Sequence, residues 1–242
     1  MNIFLRLRIL VATQICLASI LCSIFALKSH MTVDVLAAEP TIKTKYVNQA
    51  DIATEFGPDT KARCDYKFVL ESLMDYDILE EVNENNKCLI RIKISTVHAS
   101  LSLPIEIFYP PAPDERTKAH EMGHATICKR VYKNASAAIK EAAKPLLERV
   151  YTGQGANKEE ALDEALQIAL NELGGEYNMQ TADVTKDIFE IYDFLELGEN
   201  TNSNESVEES FRRFEHGKTR RITLQKKNML KGTGRDILVL KL

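Results

Sequence analysis

Alternating apolar and polar positions predict two β-strands near the middle of the chain. In the stretch KCLIRIKIS, every second residue over Ile90–Ile94 is isoleucine and the residues between are charged, which is typical of a strand buried on one face. The stretch VHASLSLP alternates in the same way over Val97–Leu103. Pro104 and the prolines of residues 110–113 are expected to close the β region.

The pattern then changes to a helical period. Asp114 is a suitable N-cap for a long helix that we expect to run to Val150, rich in Ala, Lys and Glu. Pro145 should break or kink this helix near Lys144, because proline lacks the N–H that the helix ladder needs. Residues 151–157, with the sequence YTGQGAN, are predicted to form a turn.

Two further helices are predicted after that turn. The first covers residues 158–173 and should end at Gly174 and Gly175. The second follows the connecting segment EYNMQTADVTK and should end at Gly198, before a loop NTNSNES. Their apolar positions recur at helical spacing: Leu162, Leu166, Ala169 and Leu173 in one, and Ile188, Ile191, Tyr192 and Leu195 in the other.

The order of these elements predicts an α+β fold, with a small antiparallel sheet followed by a helical bundle. The main domain is expected to cover residues 61–200. Residues 38–60 form either a linker or a loosely packed first strand, and residues 201–242 a C-terminal tail.

Residues 1–37 are predicted to be a signal peptide. Two arginines precede an uncharged apolar run over residues 9–27, as in a secretory leader. Val35 and Ala37 provide the small residues that signal peptidase requires for cleavage before Ala38. The apolar run is also near the length that spans a bilayer, so an uncleaved N-terminal anchor is the alternative. Either reading predicts an exported protein, periplasmic or secreted. Membrane contact is expected only through this segment, and only if it is not cleaved.

Charge argues against a nucleic-acid partner. The formal net charge of the chain is −4, whereas proteins that follow a phosphate backbone carry an excess of basic residues. The tail is the exception, since ten Lys or Arg stand against five Asp or Glu from Glu205 onward. This tail is either a solvated basic extension or a segment that contacts anionic surfaces.

Cleavage of the leader would leave three cysteines, an odd number for an oxidising compartment. Cys64 and Cys88 flank a predicted hairpin region and are candidates for a disulfide. Cys128 would then remain as a buried free thiol.

The stretch HEMGH contains the residues with the clearest chemistry. On a helix, His120 and His124 lie on one face about 6 Å apart along the axis, so both imidazoles can reach one metal ion. Glu121, the next position round the helix, can reach a water on that ion. Histidine ligands with an oxygen ligand and an open position are typical of catalytic zinc. The alternative is three polar residues on a solvated helix face.

A catalytic zinc site normally has three protein ligands, so a third must come from elsewhere. Cys128 continues the same helical stripe, but it lies about 12 Å beyond His120 along the axis and is expected in the core. His98, on the polar face of the second strand, either lines the cleft or is a surface residue.

Over residues 62–185 the chain resembles a family of secreted bacterial zinc-dependent proteases, a zincin-like domain of unknown function. The resemblance is carried by Cys88 at the start of a strand, the Leu103–Pro104 pair, HEMGH, and YNMQTAD at residues 177–183. The last motif is similar to the family pattern Y-D-x-x-T-x-H-G.

This closing motif departs from the family pattern at two positions. Asn178 stands where the family has Asp, and Asp183 stands where the family has its histidine ligand. The resemblance therefore implies Asp183 as the third ligand, unless Asp183 caps the helix that follows it. His216, which is followed by glycine, is the alternative ligand, and Glu172 and Glu176 are further candidates.

The function these residues predict is an exported zinc peptidase that acts on a peptide or protein substrate. Glu121 would be the general base for a metal-activated water, and the strand Val97–Leu103 would hold the substrate in extended form. The alternative is a binding or scaffold protein of the bacterial envelope that keeps the fold but has weak or no catalysis.

Overall fold

A computed structural model describes residues 32–58, 60–196 and 202–231 of the chain. The fold is α+β, which confirms the predicted class. The chain divides into two compact units. Among the described residues, the first unit comprises residues 32–36, 71–99 and 139–174, and the second comprises residues 37–70, 100–138 and 175–231.

The described elements are seven strands and six helices. The strands are β1 (Thr32–Ala37), β2 (Thr41–Tyr46), β3 (Arg63–Tyr66), β4 (Val69–Glu84), β5 (Lys87–Ser102), β6 (Pro104–Tyr109) and β7 (Val150–Gly155). The helices are α1 (Gln49–Phe56), α2 (Glu115–Tyr132), α3 (Ala135–Glu148), α4 (Lys158–Gln180), α5 (Ala182–Glu196) and α6 (Ser203–Lys231).

A four-stranded sheet forms most of the first unit. Its strand order is β1-β5-β4, and β7 also pairs with β5, antiparallel from Cys88↔Gly155 to Lys93↔Val150. Asn85 and Asn86 connect β4 to β5 with φ values of 50° and 58°. Two consecutive residues of positive φ are typical of the tight turn that matches the twist of a hairpin.

The two strands predicted from alternation are one continuous strand, β5. Its buried positions are even-numbered through Ile94 and odd-numbered from Val97 onward. The phase changes at Ser95 and Thr96, which are both half-buried. This change of phase accounts for the two separate patterns in the sequence, because neighbouring residues of a strand face opposite sides.

The predicted turn at residues 151–157 is wrong, since most of it is strand β7. Gly153 and Gly155 do not form a turn but allow strand β7 to pack closely against helix α4. A Cβ on Gly153 would lie 2.0 Å from the carbonyl oxygen of Ala161, and one on Gly155 would lie 2.6 Å from the Ala161 nitrogen. The two glycines therefore allow the strand backbone to pack directly on the helix backbone.

The second unit contains a three-stranded sheet of order β2-β6-β3. Strand β6 begins at Pro104, where a missing N–H is tolerated, so this proline starts a strand instead of closing the β region. Strand β2 runs parallel to β6, from Thr41↔Pro104 to Tyr46↔Tyr109, whereas β3 is antiparallel to it. The prediction of one antiparallel sheet is therefore corrected to two sheets, one of which contains a parallel pair.

The long helix predicted from Asp114 to Val150 is two helices, α2 and α3. The break falls at Lys133 and Asn134, and the Asn134 carbonyl accepts the Ala138 N–H at 2.9 Å to start α3. Asparagine is favoured at such a helix start. Pro145 lies inside α3, within its last turn, where it removes only one backbone hydrogen bond.

Helix α4 passes through Gly174 and Gly175 to Gln180, so the predicted end at these glycines is wrong. The residue after the helix is Thr181, whose hydroxyl donates to the Tyr177 carbonyl at 2.7 Å. Helix α5 starts directly afterwards, and the Thr185 N–H reaches the Thr181 carbonyl at 2.9 Å. A side chain that bonds the backbone in this way competes with the helix ladder and favours a break.

Helix α6 replaces part of the predicted loop and tail, since it starts at Ser203. Val207 and Phe211 are buried in the second unit. Arg130 of α2 lies over the Phe211 ring at 4.1 Å and pairs with Glu208 at 2.7 Å. The first part of the tail is therefore packed on α2, and contact of the tail with an anionic surface stays a prediction.

The predicted leader lies mainly outside the described residues, but its last six residues form β1. Cleavage before Ala38 would remove this strand, which is hydrogen-bonded to β5. No helix within the described ranges is both long and apolar enough to cross a bilayer. Cys64, Cys88 and Cys128 are buried free thiols, so the structure contains no Cys64–Cys88 disulfide.

Candidate metal centre

Helix α2 carries the HEMGH sequence, as the sequence predicts. The side chain of Asp114 accepts the Thr117 N–H at 2.6 Å and so caps the helix. This hydrogen bond fixes the start of the helix one turn before the first histidine. The helical context that the motif requires is therefore present.

His120 and His124 direct their Nε2 atoms at one point. The two atoms are 3.2 Å apart, and the rings are nearly perpendicular. Burial, followed by the nearby His124, lowers the pKa of His120. The neutral imidazole favoured by this shift is the form that binds a metal ion.

Asp193 of α5 completes a group of three ligand atoms. Its Oδ1 lies 3.0 Å from Nε2 of His124 and 3.6 Å from Nε2 of His120. Ligand atoms about 2.1 Å from a tetrahedral ion lie about 3.4 Å from one another. The three separations fit one face of such a tetrahedron, so these residues can hold a zinc-sized ion with a fourth position open.

One face of helix α5 packs against the two histidines. Phe189, Tyr192, Asp193 and Glu196 recur at the i, i+3, i+4, i+7 spacing of a helix face. The ring centroid of Phe189 is 4.1 Å from that of His124, and Tyr192 stacks on His120 at 5.3 Å. The aromatic residues thus place the carboxylate of Asp193 beside the imidazoles.

Gly123, inside HEMGH, makes this packing possible. A Cβ at this position would lie 2.1 Å from the hydroxyl oxygen of Tyr192. That hydroxyl donates to the His120 carbonyl at 3.2 Å. A glycine is therefore required for Tyr192 to reach the backbone of α2.

Glu121 lies beside the histidines with only 6% of its surface exposed. It lines the same cleft as Cys64 of strand β3. Burial raises the pKa of Glu121, while His124 and the Cys64 N–H oppose that rise. Glu121 is thus a carboxylate held in a largely desolvated position, as a general base requires.

Glu196 is a second buried carboxylate near the site. Its Oε2 is 4.0 Å from Nδ1 of His120 and accepts the Ser203 hydroxyl at 3.3 Å. Nδ1 of His124 is buried and has no hydrogen-bond partner among the described residues. A carboxylate that hydrogen-bonds a metal-binding histidine orients its ring, and Glu196 is the carboxylate near Nδ1 of His120, although 4.0 Å is longer than a hydrogen bond.

These groups line a cleft of about 750 Å³ in the second unit. This volume lies within the range of ligand-binding clefts. Cationic side chains line it as well as acidic ones: Lys61, Arg63 and Arg116. The metal-ligand group and these three basic side chains therefore line the same cleft.

The structure does not bring the predicted third ligands to the histidines. Asp183 is exposed in the first turn of α5. It lies ten residues before Asp193, about 15 Å along the helix axis, so the two cannot bind one ion. His216 is exposed on α6 and is outside the ligand group.

The remaining candidates are also elsewhere. Glu172, in the first unit, pairs with Arg149 and accepts the Tyr151 hydroxyl at 2.9 Å. Glu176 is half-buried on α4 and is not in the ligand group. His98, on β5 in the first unit, pairs with Asp34 at 3.3 Å and Asp75 at 3.0 Å.

Two residues of the predicted motifs belong to the core. Cys128 is fully buried, which confirms the expectation from its position on α2. Tyr177 is also fully buried and does not line the cleft. Tyr192, which the sequence suggested only as a core residue, is the tyrosine that contacts the histidines.

Comparisons of the chain with protein-family models, curated proteins and solved structures gave no match, so the assignment of this centre depends on its own geometry.

Proposed function

We propose that the chain is a zinc-dependent peptidase. The observation that carries this proposal is the triangle of His120, His124 and Asp193, with sides of 3.0 to 3.6 Å, beside the buried Glu121. Two imidazole nitrogens and one carboxylate oxygen are a ligand set of catalytic zinc sites. The resemblance of HEMGH and its neighbours to secreted proteases, and the leader pattern, favour an exported enzyme.

Zinc held by His120, His124 and Asp193 would supply a Lewis acid and would lower the pKa of a water so that it can act as a nucleophile near neutral pH. Glu121 takes the proton from that water and passes it to the amine of the departing peptide. His124 and the Cys64 N–H lower the pKa of Glu121 against the effect of burial and so favour its charged form, which is the form that accepts a proton. Tyr192 stacks on the ring of His120 and so limits its rotation.

Strand β3 is the better candidate for holding an extended substrate. The predicted strand, within β5, has hydrogen-bonded neighbours on both sides. Strand β3 is instead at the edge of its sheet, and Arg63 and Cys64 line the cleft. An extended peptide can pair with such an edge.

The test uses the chain from Thr32 onward, measured for zinc content and for cleavage of a mixed peptide library. We expect about one zinc per chain and cleavage that Glu121→Gln abolishes while zinc content stays unchanged. Cleavage that survives Glu121→Gln would disprove the mechanism. Absence of zinc from the purified wild-type chain after dialysis against zinc would disprove the metal site.

A non-catalytic zinc protein is the second candidate. It is favoured by the exposure of Asp193. The side chain of this candidate metal ligand is 53% exposed to solvent, so few neighbouring groups fix its position. This candidate predicts stoichiometric zinc and no peptide cleavage by the wild-type chain. Turnover that depends on Glu121 would eliminate it.

A further inference from the structure

Two arginines line the cleft without a carboxylate partner. Arg116 donates from Nη2 to the backbone carbonyl of Glu196 at 2.9 Å, and Arg63 lies 5.8 Å from the Phe56 ring centroid. Neither guanidinium forms an ion pair with any residue in the described ranges. Both are therefore positioned by neutral groups, and the N–H groups of each guanidinium are not taken up by a carboxylate of the described residues.

The acids of the cleft are already engaged. Asp114 caps α2, and Asp193 lies between the two histidines. Glu121 and Glu196 are buried beside the two histidines. None of these four carboxylates forms an ion pair with Arg63 or Arg116.

Both arginines lie close to the candidate metal ligands. Arg116 is four residues before His120, so it lies on the same helix face about 6 Å along the axis. Arg63 lines the same cleft as Glu121 and the two histidines. An extended peptide advances about 3.3 Å per residue, so a group bound here is within about two residues of the bond to be cut.

We propose that Arg63 and Arg116 bind a carboxylate of the substrate, so that the enzyme prefers peptides with an acidic group close to the cleaved bond. This inference rests on the proposed peptidase function. The planar guanidinium donates two parallel hydrogen bonds to a carboxylate, which gives both affinity and direction. The carboxylate is either an acidic side chain or the C-terminus of the peptide.

The experiment compares matched peptides on the zinc-loaded chain. One pair differs by Glu or Gln next to the cleaved bond, and a second pair by a free or an amidated C-terminus. We expect kcat/KM to be about tenfold higher for one acidic member, mainly through KM. The pair that shows the difference identifies the source of the carboxylate.

The variants are Arg63→Gln, Arg116→Gln and the double substitution, with Arg91→Gln as the control. Arg91 is an exposed arginine of β5 that pairs with Glu80 at 2.9 Å in the first unit. We expect the double variant to lose the preference and to cleave the neutral peptides within about threefold of wild type. Arg116→Lys should restore part of the preference, and zinc content should stay unchanged in all variants.

A wild type without preference for either acidic peptide, or a preference that persists in the double variant, would overturn the proposal. If no peptide is cleaved, the peptidase function fails but the carboxylate site is still tested. Fluorescence anisotropy then measures binding of the same labelled peptides to zinc-loaded Glu121→Gln. Tighter binding of an acidic peptide that is lost on adding the two arginine substitutions supports the carboxylate site, and equal binding of both members contradicts it.

Discussion

At the scale of single residues, position 123 requires glycine, because any side chain there would overlap Tyr192. We expect Gly123→Ala to lower the free energy of unfolding by about 1–3 kcal/mol, because the added methyl group overlaps the buried Tyr192 hydroxyl. Displacement of Tyr192 should also weaken zinc binding, since this ring stacks on His120. Urea denaturation and zinc titration measure the two effects.

Gly175→Ala is the matched control. Gly175 is also helical, but no atom outside its own stretch of helix lies within 4 Å of the place that an added Cβ would occupy. We expect this substitution to raise the free energy of unfolding by up to about 1 kcal/mol, because alanine favours a helix. Equal destabilisation by both substitutions would show that contact with Tyr192 is not the cause.

Asp193 and Asp183 make a second matched pair on α5. We expect Asp193→Asn to weaken zinc binding more than about tenfold, because a charged ligand is lost at nearly constant size. Asp183→Asn should leave zinc affinity unchanged, since Asp183 lies about 15 Å away along the helix. Competition with a chromogenic chelator measures both affinities. A larger loss of zinc affinity in Asp183→Asn than in Asp193→Asn would show that Asp183 is the ligand.

The candidate site was predictable where its geometry is local. Asp114, His120 and His124 lie on one helix, so their spacing in sequence fixes their relation in space. The third candidate ligand comes from another helix, and the packing of Phe189 and Tyr192 decides which acidic residue faces the imidazoles. The i, i+3, i+4, i+7 stripe on α5 is the signal that indicates Asp193.

At the scale of elements, β1 leads to a prediction about the leader. We expect a chain that begins at Ala38 to melt at least about 3 °C below one that begins at Thr32, because it lacks a strand hydrogen-bonded to β5. Thermal unfolding followed by circular dichroism compares the two chains. Equal midpoints would mean that β1 is dispensable and that cleavage before Ala38 is compatible with the fold.

The element boundaries that were predicted wrongly from the sequence have a common physical cause. Glycine favours turns when nothing else is known, but Gly153 is required for contact between β7 and α4, and Gly174 is accommodated within a helix. The break at Asn134 carries a capping residue, which the helical period alone does not reveal. Packing between elements decided these positions, and single-sequence patterns do not contain it.

At the scale of the whole molecule, zinc binding should be coupled to folding. Zinc at one hundred times its dissociation constant stabilises a native state by about 2.7 kcal/mol when only that state binds it. We therefore expect added zinc to raise the unfolding midpoint and a chelator to lower it. The double variant His120→Ala, His124→Ala should show neither shift, and a shift that persists there would place the ion elsewhere.

The ligand triangle also has a topological consequence. Asp193 and the histidines come from helices about 70 residues apart in sequence, and the described chain has no disulfide. An ion held by both helices would act as a reversible cross-link that closes this long loop, an effect comparable in entropy to a disulfide worth about 4 kcal/mol. The concentration of available metal would then determine how stably α5 packs on α2. Amide hydrogen exchange in α5, measured with and without metal, would show this difference in stability.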